Sequence, residues 1–173
     1  MSGITPFGFF HTLISLAAVA AGIAAFVRHG GIGPRSRAGV AYIWLTIATC
    51  ATGFFIFRHG EFGPPHALGV VTLLVLAVAY VAGRDRFSSG IGRYVETVAY
   101  STTFFFHMIP GLTETFTRVP ASSPLFTGPE DPRLVAAIGA CFVLFLIGAT
   151  VQVVRLRGAR RRSATDRTAP GHP

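Results

Sequence analysis

The chain has 173 residues, of which 51% are hydrophobic and only 13% are charged. Soluble domains carry about 25% charged residues, and a soluble domain of this size could not bury so much apolar surface. The net charge is +8, and all fifteen Lys or Arg residues are arginines. They lie between apolar segments and in the C-terminal segment, which fits topology control and anionic lipid better than nucleic acid. The composition excludes most soluble enzyme folds and predicts an all-α integral membrane protein.

A membrane-spanning helix needs about 20 mostly apolar residues, and five segments meet this requirement. In chain order they are 7–27, 39–57, 66–83, 94–115 and 134–154. The fourth segment is much more polar than the others. We predict one bundle of five transmembrane helices over residues 1–157, followed by a disordered, arginine-rich cytoplasmic tail over residues 158–173.

The arginines predict the orientation of the bundle. Twelve of them fall in three segments that a five-span topology puts on one side of the membrane. They are Arg28, Arg35, Arg37, Arg84, Arg86, Arg93, Arg155, Arg157, Arg160, Arg161, Arg162 and Arg167. The positive-inside rule then puts the N-terminus outside and the C-terminus inside, in the bacterial cytoplasmic (inner) membrane. Without the fourth span the tail would lie opposite the other two arginine groups, so the charge asymmetry supports that span independently of its hydropathy.

The fourth segment carries a polar stripe with helical spacing. Its members, separated by 4, 3, 4, 3 and 4 residues, are Glu96, Tyr100, Thr103, His107, Pro110 and Glu114. Such residues share one helix face, and a charge at mid-membrane costs about 2.5–3.5 kcal/mol. The stripe is therefore predicted to face other helices or a water-filled cavity. Pro110 and Gly111 predict a kink or a break. Glu96 has two interpretations, which are an ion pair with the nearby 84–93 arginines and a proton uptake point.

Three histidines and a carboxylate converge on the predicted outer half of the bundle. His11 lies in the outer end of the first span, and His66 opens the third span. His107 lies about 12 Å below the outer end of the fourth span, and Glu114 lies near that end. Intramembrane ionisable residues are functional hypotheses by default.

Three interpretations of this cluster remain open. His11, His66 and His107, with Glu114 or Glu61, could bind a transition metal such as Zn, Cu or Fe, because imidazole and carboxylate suit these ions. Alternatively, two of the histidines could be axial ligands of a b-type haem held between helices. In the third interpretation the histidines only hydrogen-bond across helices and cap backbone groups.

The function classes that follow are equally broad. A metal or haem site would support a redox or hydrolytic role, whereas the alternative is a non-enzymatic small transporter or an accessory subunit of a membrane complex. The expected partners are the lipid bilayer and either another membrane protein or a second copy of the chain, and no nucleic acid is expected. Cys50 and Cys141 lie in apolar segments without CxxC spacing and are predicted to be buried structural thiols.

Two stretches carry a resemblance to a known kind of protein. The first, from His11 to Gly83, combines an early helix histidine, a turn with arginine and glycine, and the link Gly53-Phe54-Phe55-Ile56 before His66. The second runs from Tyr94-Val95-Glu96-Thr97 through Phe106-His107-Met108-Ile109-Pro110 to Thr113-Glu114-Thr115. Together they resemble small bacterial multi-pass membrane proteins that have no assigned activity. The resemblance implies a membrane bundle and supplies no catalytic residue.

Overall fold

The computed structural model describes residues 5–56, 62–84, 90–118 and 124–168. Within these ranges the fold is all-α, as predicted, with one helix for each predicted segment. The helices are α1 (Pro6–His29), α2 (Arg37–Gly53), α3 (Pro64–Gly83), α4 (Gly92–Arg118) and α5 (Pro132–Thr168). By length and composition α1, α3 and α5 could each cross a membrane. These three helices support the predicted membrane protein.

Local sequence explains where the first two helices begin and end. The Thr5 side chain accepts a hydrogen bond from the Gly8 N–H at 3.1 Å and so caps α1. Gly30 ends α1 in the left-handed conformation with φ of 71°, which glycine adopts without a Cβ clash. The Ser36 side chain accepts from the Gly39 N–H at 3.0 Å and starts α2. These caps place the α1–α2 turn at one end of the bundle.

The helices pack as two hairpins with an added fifth helix. α1 packs along α2 and α3 along α4, while smaller contacts join α2 to α3 and α1 to α4. α5 packs only against α4 among the described helices, and α1 and α5 do not pack against each other. α4 is therefore the central helix, in contact with α1, α3 and α5.

Small residues allow close packing around two buried tyrosines. Ala25 of α1 and Ala79 of α3 are fully buried and belong to the same core cluster as Tyr42 and Tyr100. A Cβ added at Gly22 would lie 2.6 Å from the Phe104 ring, so glycine is needed for this approach of α1 to α4. Small residues at such interfaces are typical of membrane helices, where backbones must approach closely.

Two expectations differ from the structure. α4 continues through Pro110, so the predicted break of the helix at this position is wrong. The 27-residue helix continues because a proline removes only one of its backbone hydrogen bonds. Residues 158–168 were expected to be a disordered tail but form the end of α5. Arginine has a high helix propensity and is favourable near a helix C-terminus, which explains the extension. Residues 169–173 lie outside the described residues.

Candidate functional site

The polar stripe of α4 divides at Pro110. Glu96 and Tyr100 are each 1% exposed, Thr103 is fully buried and His107 is 5% exposed. Beyond them Pro110 and Glu114 are exposed. The first four stripe residues thus face the bundle interior, and Glu114 does not take part in their environment.

Glu96 forms an ion pair with a residue that is distant in the sequence. The Arg35 Nη2 atom donates to Glu96 Oε2 at 2.6 Å, across 61 residues of chain. The sequence had suggested the 84–93 arginines as partners instead. The Arg35 side chain is half-exposed, whereas Glu96 is buried, so the pair joins the turn before α2 to the interior of α4.

Gly83 makes room for the Glu96 carboxylate. A Cβ at this position would lie 2.5 Å from Glu96 Oε1 and 2.7 Å from its Cδ. The end of α3 can approach α4 here because glycine has no side chain. Glu96 Oε1 itself is buried and has no hydrogen-bond partner among the described residues.

The middle of the site joins α2 to α4 by hydroxyl groups. Thr103 Oγ1 donates to the Tyr100 carbonyl at 2.8 Å and lies 3.0 Å from the Tyr42 hydroxyl. Since the threonine proton is already used, the Tyr42 hydroxyl is the donor to Thr103. The Tyr42 ring also packs against the His107 ring, with centroids 5.9 Å apart. The Tyr100 hydroxyl is buried without a partner among the described residues.

His107 and His11 form the far part of the site. His107 Nδ1 lies 3.4 Å from the Thr103 carbonyl oxygen. Since a carbonyl only accepts hydrogen bonds, a neutral His107 ring must carry its proton on Nδ1 to form this bond. His107 Nε2 is then an acceptor, and it is buried without a described partner. His11 Nδ1 lies 2.8 Å from Thr52 Oγ1. This bond joins α1 to the last turn of α2.

These residues define a buried line of polar groups that we call the polar path. It consists of Glu96, Tyr100, Thr103 and His107 of α4, Tyr42 of α2 and His11 of α1. The path starts near the arginines and runs through the core toward the opposite end of the bundle.

His66 belongs to a separate, local arrangement. The Gly63 N–H donates to His66 Nδ1 at 3.2 Å, so the side chain turns back to cap the start of α3. Its ring packs against Phe62 at 5.1 Å between centroids. Glu61, the alternative carboxylate for the predicted cluster, lies outside the described residues.

The proposed ligand set gains no support from this geometry. No group of three His, Cys, Asp or Glu side chains within residues 5–56, 62–84, 90–118 and 124–168 is arranged to hold a metal ion. The physical reason is that His66 caps its own helix and Glu114 is exposed, while His11 is half-buried and His107 is buried. The metal and haem hypotheses stay predictions. Cys50 is a buried free thiol, as expected, and Cys141 is half-buried and free.

Two important contacts were missed from the sequence. Arg35 was counted only as a topology determinant, and its pairing with Glu96 depends on the fold. Gln152 is 7% exposed; its Oε1 accepts from Ser101 Oγ at 2.8 Å and its Nε2 donates to the Gly30 carbonyl at 3.0 Å. A single amide in the otherwise apolar stretch of α5 was the signal that could have identified it.

Comparison of the chain with protein-family models, with curated proteins and with solved structures gave no match. The candidate site is therefore argued from its own geometry.

Proposed function

We propose that the chain is a small membrane transporter that moves protons along the polar path. The observation that supports this proposal is the presence of three buried polar atoms without described partners along three turns of one helix face. They are Glu96 Oε1, Tyr100 Oη and His107 Nε2. Buried polar atoms normally have partners, so a line of unsatisfied ones is suited to water molecules or transferred protons.

The length of the path also favours transfer across the membrane. Glu96 and His107 are eleven residues apart, which is about 16 Å along a helix. This distance is more than half of the hydrocarbon core of about 30 Å. His11, bonded to Thr52 in the last turn of α2, is a further imidazole away from the arginine end of the bundle. Chains of Glu, Tyr and His side chains inside a bundle are typical of proton relays.

The chemistry of each group fits this role. The neutral His107 ring offers Nε2 as an acceptor that can take up a proton and release it again. Glu96 offers a buried carboxylate oxygen, Oε1, while its other oxygen pairs with Arg35. The Tyr42 and Thr103 hydroxyls lie between these groups and supply hydrogen bonds through the core.

This function requires α2 and α4 to cross the membrane with the other three helices. Three observations favour that arrangement by bringing the arginine groups to one end of the bundle. Arg35 reaches Glu96 at the start of α4, Arg93 and Arg155 border one cleft, and Arg160 packs against Gly90. We propose that this arginine end faces the cytoplasm and that the N-terminus is outside. Reporter fusions at both termini of the full chain test the orientation; a tail found outside the cell would overturn it.

A flux measurement tests the function. The purified protein is reconstituted into vesicles that contain a pH-sensitive dye, and a potassium diffusion potential drives protons inward. We expect flux for the parent chain and a large loss in the Glu96→Gln and His107→Gln variants. Glu114→Gln and His29→Gln are matched controls, since both residues are exposed. Undiminished flux in the folded Glu96 and His107 variants, or none in the parent, would overturn the proposal.

Optical and elemental analysis of the same preparation tests the other class of function. A haem absorption band or a stoichiometric metal that disappears in His11→Ala and His107→Ala would favour a cofactor site in place of a proton path.

A further inference from the structure

The arginine end contains an open cleft of about 430 Å³ beside the Glu96 end of the polar path. Its walls come from the α1–α2 turn, the first turns of α4 and the second half of α5. The principal polar side chains at its surface are His29, Arg35, Arg93, Thr97, Gln152 and Arg155. We propose that this cleft binds the phosphate group of an anionic lipid.

The charge of the cleft suits a phosphate group. Arg35 is neutralised by Glu96. Arg93 and Arg155 are exposed and form no ion pair with a carboxylate in the described part of the chain. No acidic residue among the described ones lines the cleft. Two guanidinium groups therefore line the same cleft with no carboxylate of the described residues paired to them. Guanidinium groups match phosphate oxygens in geometry and charge.

The cleft is built by specific contacts and does not depend on flexible side chains alone. Gln152 bonds both Ser101 of α4 and the Gly30 carbonyl, and so holds α5 against the α1–α2 turn. The turn is itself fixed, because Gly39 packs directly on the Gly33 backbone. Arg155 lies beside Gly30, because a Cβ added at Gly30 would be 3.5 Å from the Nη1 atom of Arg155. These bonds set the separation between Arg93 and Arg155.

The surroundings of the cleft favour a lipid over a free anion. α1 and α5 meet at the cleft through Gly30 and Gln152 but do not pack against each other along their lengths. Exposed apolar residues lie close in the sequence to the cleft residues His29 and Arg155, namely Val27 at 80% and Val154 at 60%. An acyl chain could lie along these surfaces while its headgroup enters the cleft. Basic pockets between transmembrane helices are typical headgroup sites.

Lipid binding by the full chain in a neutral detergent tests the proposal. Phosphatidylglycerol is titrated onto the delipidated protein and bound lipid is counted by native mass spectrometry, with phosphatidylcholine as the zwitterionic reference. We expect preferential binding of phosphatidylglycerol. The Arg93→Gln/Arg155→Gln double variant should bind it about 30-fold more weakly, a factor of about five for each guanidinium.

The matched control is the Arg28→Gln/Arg162→Gln double variant, which removes the same charge from exposed residues that do not line the cleft. It should keep nearly the parent affinity. An equal loss in both double variants would show diffuse charge attraction and would overturn the site. Inorganic phosphate is added as a competitor to test whether the cleft binds a free anion. If phosphate displaces phosphatidylglycerol at a concentration equal to that of the lipid, the assignment to lipid is overturned. Circular dichroism checks folding, and the single Arg93→Gln variant replaces the double variant if the latter does not fold.

Discussion

The neighbouring helices α4 and α5 differ in which side chains they bury, since α4 buries polar residues and α5 exposes apolar ones. α4 buries Glu96, Tyr100, Thr103 and His107. α5 contains the most apolar segment of the three candidate spans, yet only 6% of that segment is buried. In a membrane, apolar side chains gain little by leaving lipid, so close packing and interhelical hydrogen bonds hold helices together. The comparison shows that the position of α4 is set by its many contacts, whereas that of α5 depends on few.

The largest expected effect comes from adding a methyl group next to α4. Gly83→Ala puts a Cβ 2.5 Å from Glu96 Oε1, and the buried, paired carboxylate cannot move freely. We expect a loss of about 2–3 kcal/mol in the free energy of unfolding, as in overpacked cores. Denaturation in mixed SDS micelles, followed by circular dichroism, measures it.

The matched change on α5 is Gly148→Ala, where nothing lies within 4 Å of the added Cβ. The free energy of unfolding should stay the same or rise by about 0.5–1 kcal/mol, because alanine favours helix. Equal losses at the two glycines would mean that α5 is as closely packed as α4.

The next effect concerns the anchor of α5. Gln152→Leu removes the bonds to Ser101 and to the Gly30 carbonyl. We expect a loss of about 1–2 kcal/mol, since the buried carbonyl loses its side-chain partner. Thr150→Val is the control, because the exposed Thr150 hydroxyl donates only to Leu146 of its own helix. The same denaturation series compares the variants, and a neutral Gln152→Leu would show that contacts with α4 alone hold α5.

A smaller effect is expected for the bond between α2 and α4. Tyr42→Phe removes the hydroxyl that donates to Thr103. Interhelical hydrogen bonds in membranes average about 0.6 kcal/mol, so a loss of this size is expected. Tyr80→Phe, on the exposed face of α3, should cause almost none. A loss several times greater for Tyr42 would indicate that the polar path acts as a cooperative network.

The smallest effect concerns acid and the start of α5. The Arg133 guanidinium, with N–H groups of Thr127 and Arg133, holds the pKa of Asp131 well below its usual value of 3.8. The stabilisation from this carboxylate is complete above that value and declines as the pH falls below it. The hydrogen-exchange protection factors in residues 131–135, which are corrected for the intrinsic pH dependence of exchange, should therefore fall below about pH 4 in the parent chain. Asp131→Asn should lack this dependence.

The sequence predicted the number and type of helices and the buried face of α4. Residue spacing fixes the direction in which side chains point around a helix, and Glu96, Tyr100, Thr103 and His107 are all buried. Spacing does not reveal where neighbouring helices end. Glu114 was therefore placed in the site, although the structure leaves it exposed beyond Pro110.

Contacts between distant segments could not be predicted from the sequence. The pairing of Arg35 with Glu96 spans 61 residues, and several arginines closer in the chain were equally plausible partners. His66 shows a different limit, because its ring satisfies the N–H of Gly63 three residues earlier. A local backbone bond of this kind competes with any ligand role, and residue type alone cannot decide between them.

The ion pair between Arg35 and Glu96 has a consequence for biogenesis. The ribosome makes the cation 61 residues before the anion. In the proposed five-span arrangement, the α1–α2 hairpin would present a positive charge before α4 emerges. Insertion of the Glu96 carboxylate would then be linked to completion of the first hairpin, and the order of synthesis would be part of how the bundle assembles.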